Sequence, residues 1–140
     1  MPIRTAQASW QGSLARGSGH MKFANYDGPF TFASRFESGP GTNPEELIGA
    51  AIAGCFSMAL SGDLGGAGHV VEAVNTTAQV TVEPKEGGGF VISGIHLDTV
   101  ANVPQISDED FQAIAEGTKT NCPVSTALRA VPITLTARLG

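Results

Sequence analysis

Two cysteines are the residues in this sequence best suited to chemistry, and they sit in contrasting surroundings. Cys122 belongs to Asn121-Cys122-Pro123, where a proline suited to the first position of a helix predicts a short helix running to about Arg129. A sulfur at such a helix start lies near unpaired backbone N–H groups, which stabilise a thiolate. Cys55 belongs to LIGAAIAGCFSMAL, Leu47 to Leu60, an apolar run in which desolvation raises a thiol's pKa and leaves it inert unless a cation comes close. Local chemistry alone therefore selects Cys122 as nucleophile and Cys55 as a structural residue. The plain alternative for both is a small buried hydrophobe.

The other reactive side chains are less suggestive. His20, His69 and His96 are far apart and show no H-x-x-x-H or Cys-His spacing, so no metal site is expected. The clusters Gly65-Gly66 and Gly87-Gly88-Gly89 follow no phosphate-loop or dinucleotide pattern and read as turns, so no cofactor is expected. Arg35 and Arg16 are rival cations for a thiolate, Arg35 having a surface ion pair with Glu37 as its ordinary explanation. Glu45 and Glu46 are equally explained as acidic residues in the first turn of a helix.

The elements that must position these residues are legible in part. Asn43 is the N-cap of a central helix, with Pro44 at its first position, Glu45 and Glu46 in its first turn, and capping-box spacing from Asn43 to Glu46. The run from Leu47 is apolar on every side, and at about 14 residues it is short of the roughly 20 that cross a bilayer. It reads as a long buried helix with a sheet on one side and a second copy of itself on the other, hence a homodimer. A Gly-rich stop covers Gly62 to Gly68.

Beyond it, Val74, Thr76, Ala78, Val80 and Val82 alternate with polar residues as a half-buried strand. A hairpin loop follows at Pro84–Gly89, then a return strand from Phe90 to Val100 with a bulge across Gly94, where its apolar set changes phase. Ser107 caps a second helix with Phe111, Ile114 and Ala115 inside, ending near Thr120, and Ile133 to Leu139 alternate as a last strand. The first forty residues read as a meander of short strands carrying Trp10, Leu14, Phe23, Phe30, Phe32 and Phe36. The expected fold is a single α+β domain over residues 1–140, with antiparallel sheets packed around the central helix.

Composition narrows the function. A net charge of −5 with only eight Lys and Arg argues against nucleic acid as a partner. The opening MPIRTAQASW has no apolar signal segment, so a cytoplasmic, disulfide-reducing location is expected. Charged residues make up 15% of the chain, low for a solitary domain and again suggestive of an oligomer.

Two longer segments carry a resemblance. SRFESGPGTNPEELIGAAIAGCFSMAL, Ser34 to Leu60, and NCPVSTAL, Asn121 to Leu128, resemble the signature segments of the osmotically inducible protein C and organic hydroperoxide resistance (OsmC/Ohr) family, and are closer to its OsmC branch. The resemblance implies an intertwined homodimer with the sites at the subunit interface. It also implies a thiol peroxidase of the oxidative and osmotic stress response that reduces alkyl or lipid hydroperoxides. By motif position it makes Cys55 the attacking cysteine, Cys122 the resolving one, Arg35 the holder of the thiolate and Glu45 the carboxylate that orients Arg35. An external dithiol, of lipoyl type in the family, then reduces the disulfide. Departures are small: Ser34 where threonine is common, and Asn121 where a glycine often precedes Cys-Pro.

Arg35 beside Cys55 would supply the cation that the buried thiol lacks. Yet Glu45 and Cys55 lie about ten residues apart, roughly 15 Å along a straight helix. Either the helix breaks between them, or the glutamate serving a given Cys55 comes from the partner chain; the second is the expectation. Phe56, Met58 and the N-terminal aromatics would line an apolar mouth, although each is more simply explained as core. The competing function is a non-enzymatic binder of apolar ligands, or a structural stress protein, with inert cysteines.

Overall fold

The computed structural model describes the whole chain from Met1 to Gly140. It divides into two compact units, Met1–Leu47 and Ile48–Gly140.

The first unit begins with an antiparallel meander of β1 (Gln7–Gln11), β2 (Ser18–Phe23) and β3 (Tyr26–Phe30), as its short apolar runs and turns predict. Gly19 sits opposite Trp10 on one side and Phe30 on the other. A Cβ there would come within 2.7 Å of the Phe30 ring, and its absence lets the Trp10 and Phe30 rings meet at 5.2 Å. The meander is shorter than the sequence suggests, because Phe32–Phe36 forms a helix, α1.

A capping box explains the difference. The Ser34 N–H donates to Thr31 Oγ1 at 3.1 Å, and the Thr31 N–H donates to Ser34 Oγ at 2.9 Å. The aromatic spacing of this segment resembled a strand, and the cap decided otherwise.

Helix α2 (Pro44–Gly66) starts where its cap was read: Asn43 Oδ1 accepts from the Glu46 N–H at 2.8 Å, and the Asn43 amide donates to Glu46 Oε1 at 3.2 Å. It runs through Gly62, Gly65 and Gly66, where the sequence reads a stop and a turn, and Gly68, with φ of +93°, closes it as the His69 N–H donates to the Leu64 carbonyl. With 23 residues, the most apolar 18 of which have a mean hydropathy of 1.6, α2 is long and apolar enough to cross a membrane by length and composition. Its Ile52, Phe56, Leu60 and Leu64 are instead fully buried in the core of the second unit.

That core also contains Ile95, Leu97 and Ala101 of the sheet and Phe111 and Ala115 of α3 (Asp108–Asn121). The sheet is built from β4 (Ala73–Pro84), β5 (Phe90–Asn102) and β6 (Ile133–Leu139) in that order. The expected bulge is present, since Thr81 faces Gly94 while Val82 faces Ile92. One ladder departs from the antiparallel expectation: β5 and β6 run parallel, the chain returning through α3 and α4 (Pro123–Ala127) as a crossover.

A hydroxyl chain ties α2 to this sheet. Ser57 Oγ donates to Thr76 Oγ1 at 2.8 Å, Thr76 lies 2.8 Å from the fully buried Thr99 Oγ1, and Thr99 donates to the Asn75 carbonyl at 3.1 Å. Satisfying every hydroxyl in the row fixes the axial position of the helix on the strands.

Only one face of α2 is covered within the chain. Ala51, Gly54 and Met58 on the other face are exposed, Met58 at 82%. Within one chain the helix is thus packed on its sheet side, and the exposed face is the one the sequence assigns to a second copy. Phe56, expected at an apolar mouth, is core, because its four-residue spacing from Ile52 and Leu60 turns it toward the sheet. Replacing it is expected to be costly: Phe56→Ala should lower unfolding stability by about 3–5 kcal/mol, measured as a shifted midpoint in chemical denaturation.

Candidate active site

The Arg35 side chain is held by a set of interactions inside the first unit. Ser34, just before it, is 7% exposed and donates its hydroxyl to the Thr42 carbonyl at 2.7 Å, tying α1 to the approach to α2. The Asn43 amide donates to the Ser34 carbonyl at 3.1 Å. Gly41, with φ of +117°, allows the Thr42 N–H to donate to the Pro29 carbonyl at 2.8 Å, and a side chain there would be strained. These bonds bring the single turn carrying Arg35 against the first turn carrying Glu45.

The two then pair directly. Arg35 Nη2 donates to Glu45 Oε1 at 2.7 Å, and Nε reaches both carboxylate oxygens at 3.2 Å. The Glu45 side chain is 7% exposed and the Arg35 side chain 36%, so the carboxylate is an internal anchor and the guanidinium keeps an open face. Charge-assisted bonds of this type are short and directional, which suits aiming a cation. Glu46 behaves differently: it closes the helix cap with Asn43 and accepts from Thr42 Oγ1 at 3.0 Å. Two carboxylates that are alike in sequence thus have separate tasks. Arg16, the rival cation, is exposed in the turn after β1.

The open side of Arg35 faces apolar surroundings. A cleft of about 220 Å³ is lined by Trp10, Leu14, Phe30, Phe32 and Phe36 together with Arg35. Phe32 and Phe36 pack with ring centroids 5.0 Å apart, and the guanidinium lies 5.0 Å from the Phe36 centroid. Phe30, Phe32, Phe36 and Trp10 thus line a cleft, while Phe56 and Met58 do not.

The second unit brings the two cysteines together. Cys55 Sγ lies 3.1 Å from Cys122 Sγ, and both are free thiols. A disulfide needs the sulfurs at about 2.05 Å, so closure asks for a movement of roughly an ångström. Cys122 is the junction residue between α3 and α4: its N–H donates to the Thr118 carbonyl and its carbonyl accepts from the Thr126 N–H. Pro123 occupies the first helical position, as the sequence predicts.

The two thiols differ in exposure and in charge preference. Cys122 is 2% exposed, and Cys55 is half-buried. Burial pushes the Cys55 thiol above its ordinary value, and its contact with Cys122 adds to this, against a smaller opposing effect of the Val124 backbone N–H. Burial also acts to raise Cys122. There it is outweighed by the hydrogen bond from Ser125 Oγ, the contact with Cys55, and the backbone N–H groups of Ser125 and Val124, which hold the thiol below its ordinary value. Of the two sulfurs, Cys122 is thus the one whose surroundings favour the thiolate.

Ser125 is a residue whose part was missed from the sequence. It is 4% exposed and its hydroxyl lies 3.5 Å from Cys122 Sγ. Its signal was present: Ser125 is three residues after Cys122, the spacing at which a side chain on the first turn of α4 turns back toward the cap residue.

The OsmC family, described as OsmC-like protein, matches residues 37–136. Peroxiredoxin OsmC of Escherichia coli (strain K12) is 44% identical over 130 residues, covering 91% of this chain and 90% of that protein. The crystal structure of the organic hydroperoxide resistance protein OhrB of Bacillus subtilis superposes with a TM-score of 0.68 at 26% identity, over 97% of this chain and 98% of that one. An OsmC-like protein from Mycoplasma pneumoniae gives a TM-score of 0.76 at 13% identity, over 99% of this chain and 97% of that one, which is a likeness of fold alone. With a family match over most of its length and a peroxiredoxin relative at this identity, the chain belongs to the OsmC-like protein family.

Proposed function

We propose that the protein reduces organic hydroperoxides through Cys55, with Cys122 as resolving cysteine and Arg35, oriented by Glu45, as the cation that activates the attacking sulfur. The observation that carries the reading is the pair of free sulfurs 3.1 Å apart, close enough to form a disulfide with side-chain rotation. Peroxidase chemistry itself follows from the family and from the kinship to a peroxiredoxin.

The steps use the geometry as follows. A guanidinium beside Cys55 favours its thiolate and polarises the peroxide. The thiolate attacks the terminal peroxide oxygen, the O–O bond breaks, and the alkoxide leaves and is protonated to the alcohol. Cys55 is left as a sulfenic acid, on which the Cys122 thiolate then closes, expelling hydroxide as water and forming the disulfide. An external dithiol returns both cysteines to thiols.

An apolar substrate is favoured by the aromatic cleft around Arg35, which accepts an alkyl chain and has few groups for hydrogen peroxide to bond. The attacking role requires Arg35 and Cys55 to share one site. Helix α2 is unbroken from Pro44 to Gly66, which removes a break in the helix as the means of bringing them together. A homodimer joined through the exposed Ala51–Gly54–Met58 face of α2, with Arg35–Glu45 of one chain serving Cys55 of the other, meets the requirement.

The test is a titration of the reduced protein with one equivalent of cumene hydroperoxide, followed by intact-mass and peptide analysis. The expected product is the Cys55–Cys122 disulfide, formed faster than with hydrogen peroxide. A protein that consumes no peroxide, or that reacts without linking the two cysteines, overturns the proposal.

A further inference from the structure

On the reading above, we propose that the external thiol attacks Cys55 of the Cys55–Cys122 disulfide and not Cys122, and that Ser125 is a positioning residue holding Cys122 as the departing thiolate. The first observation is access. Within one chain Cys122 is 2% exposed at the α3–α4 junction, while Cys55 is half-buried on the face of α2 that the proposed dimer turns toward Arg35 of the partner subunit. The sulfur that a peroxide reaches is then the sulfur that a thiol reaches, and one mouth serves both halves of the cycle.

The second observation is what surrounds each sulfur. The Ser125 hydroxyl lies 3.5 Å from Cys122 Sγ, and Ser125 itself is 4% exposed. The Ser125 backbone N–H also favours negative charge on Cys122, while that of Val124 acts on both sulfurs. No comparable hydroxyl is bonded to Cys55, whose side-chain partner is Cys122 itself. A departing sulfur whose thiolate is better stabilised leaves faster in exchange.

The electrons and bonds balance in two steps. The reductant thiolate bonds to Cys55 Sγ, the Cys55–Cys122 bond breaks, and its electron pair stays on Cys122, where the Ser125 O–H donates to it. The second thiol of the reductant, deprotonated, attacks the reductant sulfur of the mixed disulfide. A cyclic disulfide leaves, the bond to Cys55 breaks with its electron pair on Cys55, and the two protons released by the dithiol end on the protein sulfurs or in solvent. The dithiol is oxidised and the protein disulfide reduced.

The experiment avoids peroxide, so that its failure is distinct from failure of the peroxidase reading. The Cys55–Cys122 disulfide is made with diamide, exposed briefly to 2-mercaptoethanol, quenched with iodoacetamide and mapped by peptide mass spectrometry. The expected result is mercaptoethanol on Cys55 and carbamidomethyl on Cys122; the reverse pattern, or an even division, overturns the proposal.

Ser125 is tested separately. In a Cys55→Ser background, Ser125→Ala should move the ultraviolet thiolate titration of Cys122 to higher pH, and Ser125→Thr should restore it. With both cysteines present, Ser125→Ala should slow reduction of the diamide-formed disulfide by dithiothreitol roughly fivefold, about the effect of one hydrogen bond, and Ser125→Thr should again rescue. An alanine variant that titrates and reduces like the parent removes Ser125 from the role.

Discussion

Serine at Cys55 is expected to slow peroxide consumption by roughly a thousandfold or more, because a hydroxyl beside a guanidinium is a far weaker nucleophile than a thiolate. Serine at Cys122 should behave in another way. Its first turnover should proceed, leaving a Cys55 sulfenic acid that has no resolving thiol and advances to sulfinic acid under excess peroxide. The measurement is a single-turnover peroxide assay on each variant, with trapping of the sulfenic acid by dimedone.

The opposite result is a serious competitor, since the helix-end groups and Ser125 draw negative charge to Cys122 in the chain by itself. A Cys55→Ser protein that consumes peroxide at the parent rate would assign the attack to Cys122. Two considerations favour Cys55. A nucleophile must meet its substrate, and at 2% exposure Cys122 is shielded from it. A low-pKa sulfur at a helix start is also well suited to leaving, so the same electrostatics fits the resolving role.

The sequence made much of this arrangement legible, and the exceptions have physical reasons. Caps and alternation are local, so Asn43 before α2, Ser107 before α3, the bulge in β5 and the edge-to-edge meander of β1 to β3 could be read directly. Helix α1 was hidden because its spaced phenylalanines imitate a strand, while the decisive Thr31–Ser34 box is a pair of unremarkable hydroxyls. The parallel direction of β6 depends on where α3 and α4 deliver the chain, which no local pattern encodes. Phe56 and Met58 looked alike as apolar neighbours of Cys55, and only the helical turn sends one to the core and the other to the surface. Among the proposed site residues, Glu45 and Glu46 could be separated only by resemblance, until the bonds of Glu46 to its own cap left Glu45 for Arg35.

Mixed dimers of two dead variants should recover activity if Arg35 serves the partner's sulfur. Consider one chain carrying Arg35→Ala and another carrying Cys55→Ser, each expected to be inactive or nearly so as a homodimer. In a mixed dimer, the intact Cys55 of the first chain faces the intact Arg35 of the second, and one complete site forms. The other site loses both groups. Random pairing puts such dimers at about half the population, so activity should return to about a quarter of the parent level.

If Arg35 instead acted on Cys55 of its own chain, every site in the mixture would lack one group and nothing would return. Coexpression with two affinity tags, purification of the doubly tagged species and a cumene hydroperoxide assay distinguish the outcomes: about half the parent activity if Arg35 acts across the boundary, and none if it acts within its own chain. The Arg35→Ala homodimer must itself be folded for this comparison. That condition is within reach, because the guanidinium is only one of the ties between α1 and the start of α2, and the Ser34–Thr42 and Asn43–Ser34 bonds remain. Removing Arg35 does leave the 7%-exposed Glu45 carboxylate without its partner, so Glu45→Gln combined with Arg35→Ala is the second variant to pair with Cys55→Ser. Recovery with either variant places the activating cation across the subunit boundary, and its absence with both places it elsewhere.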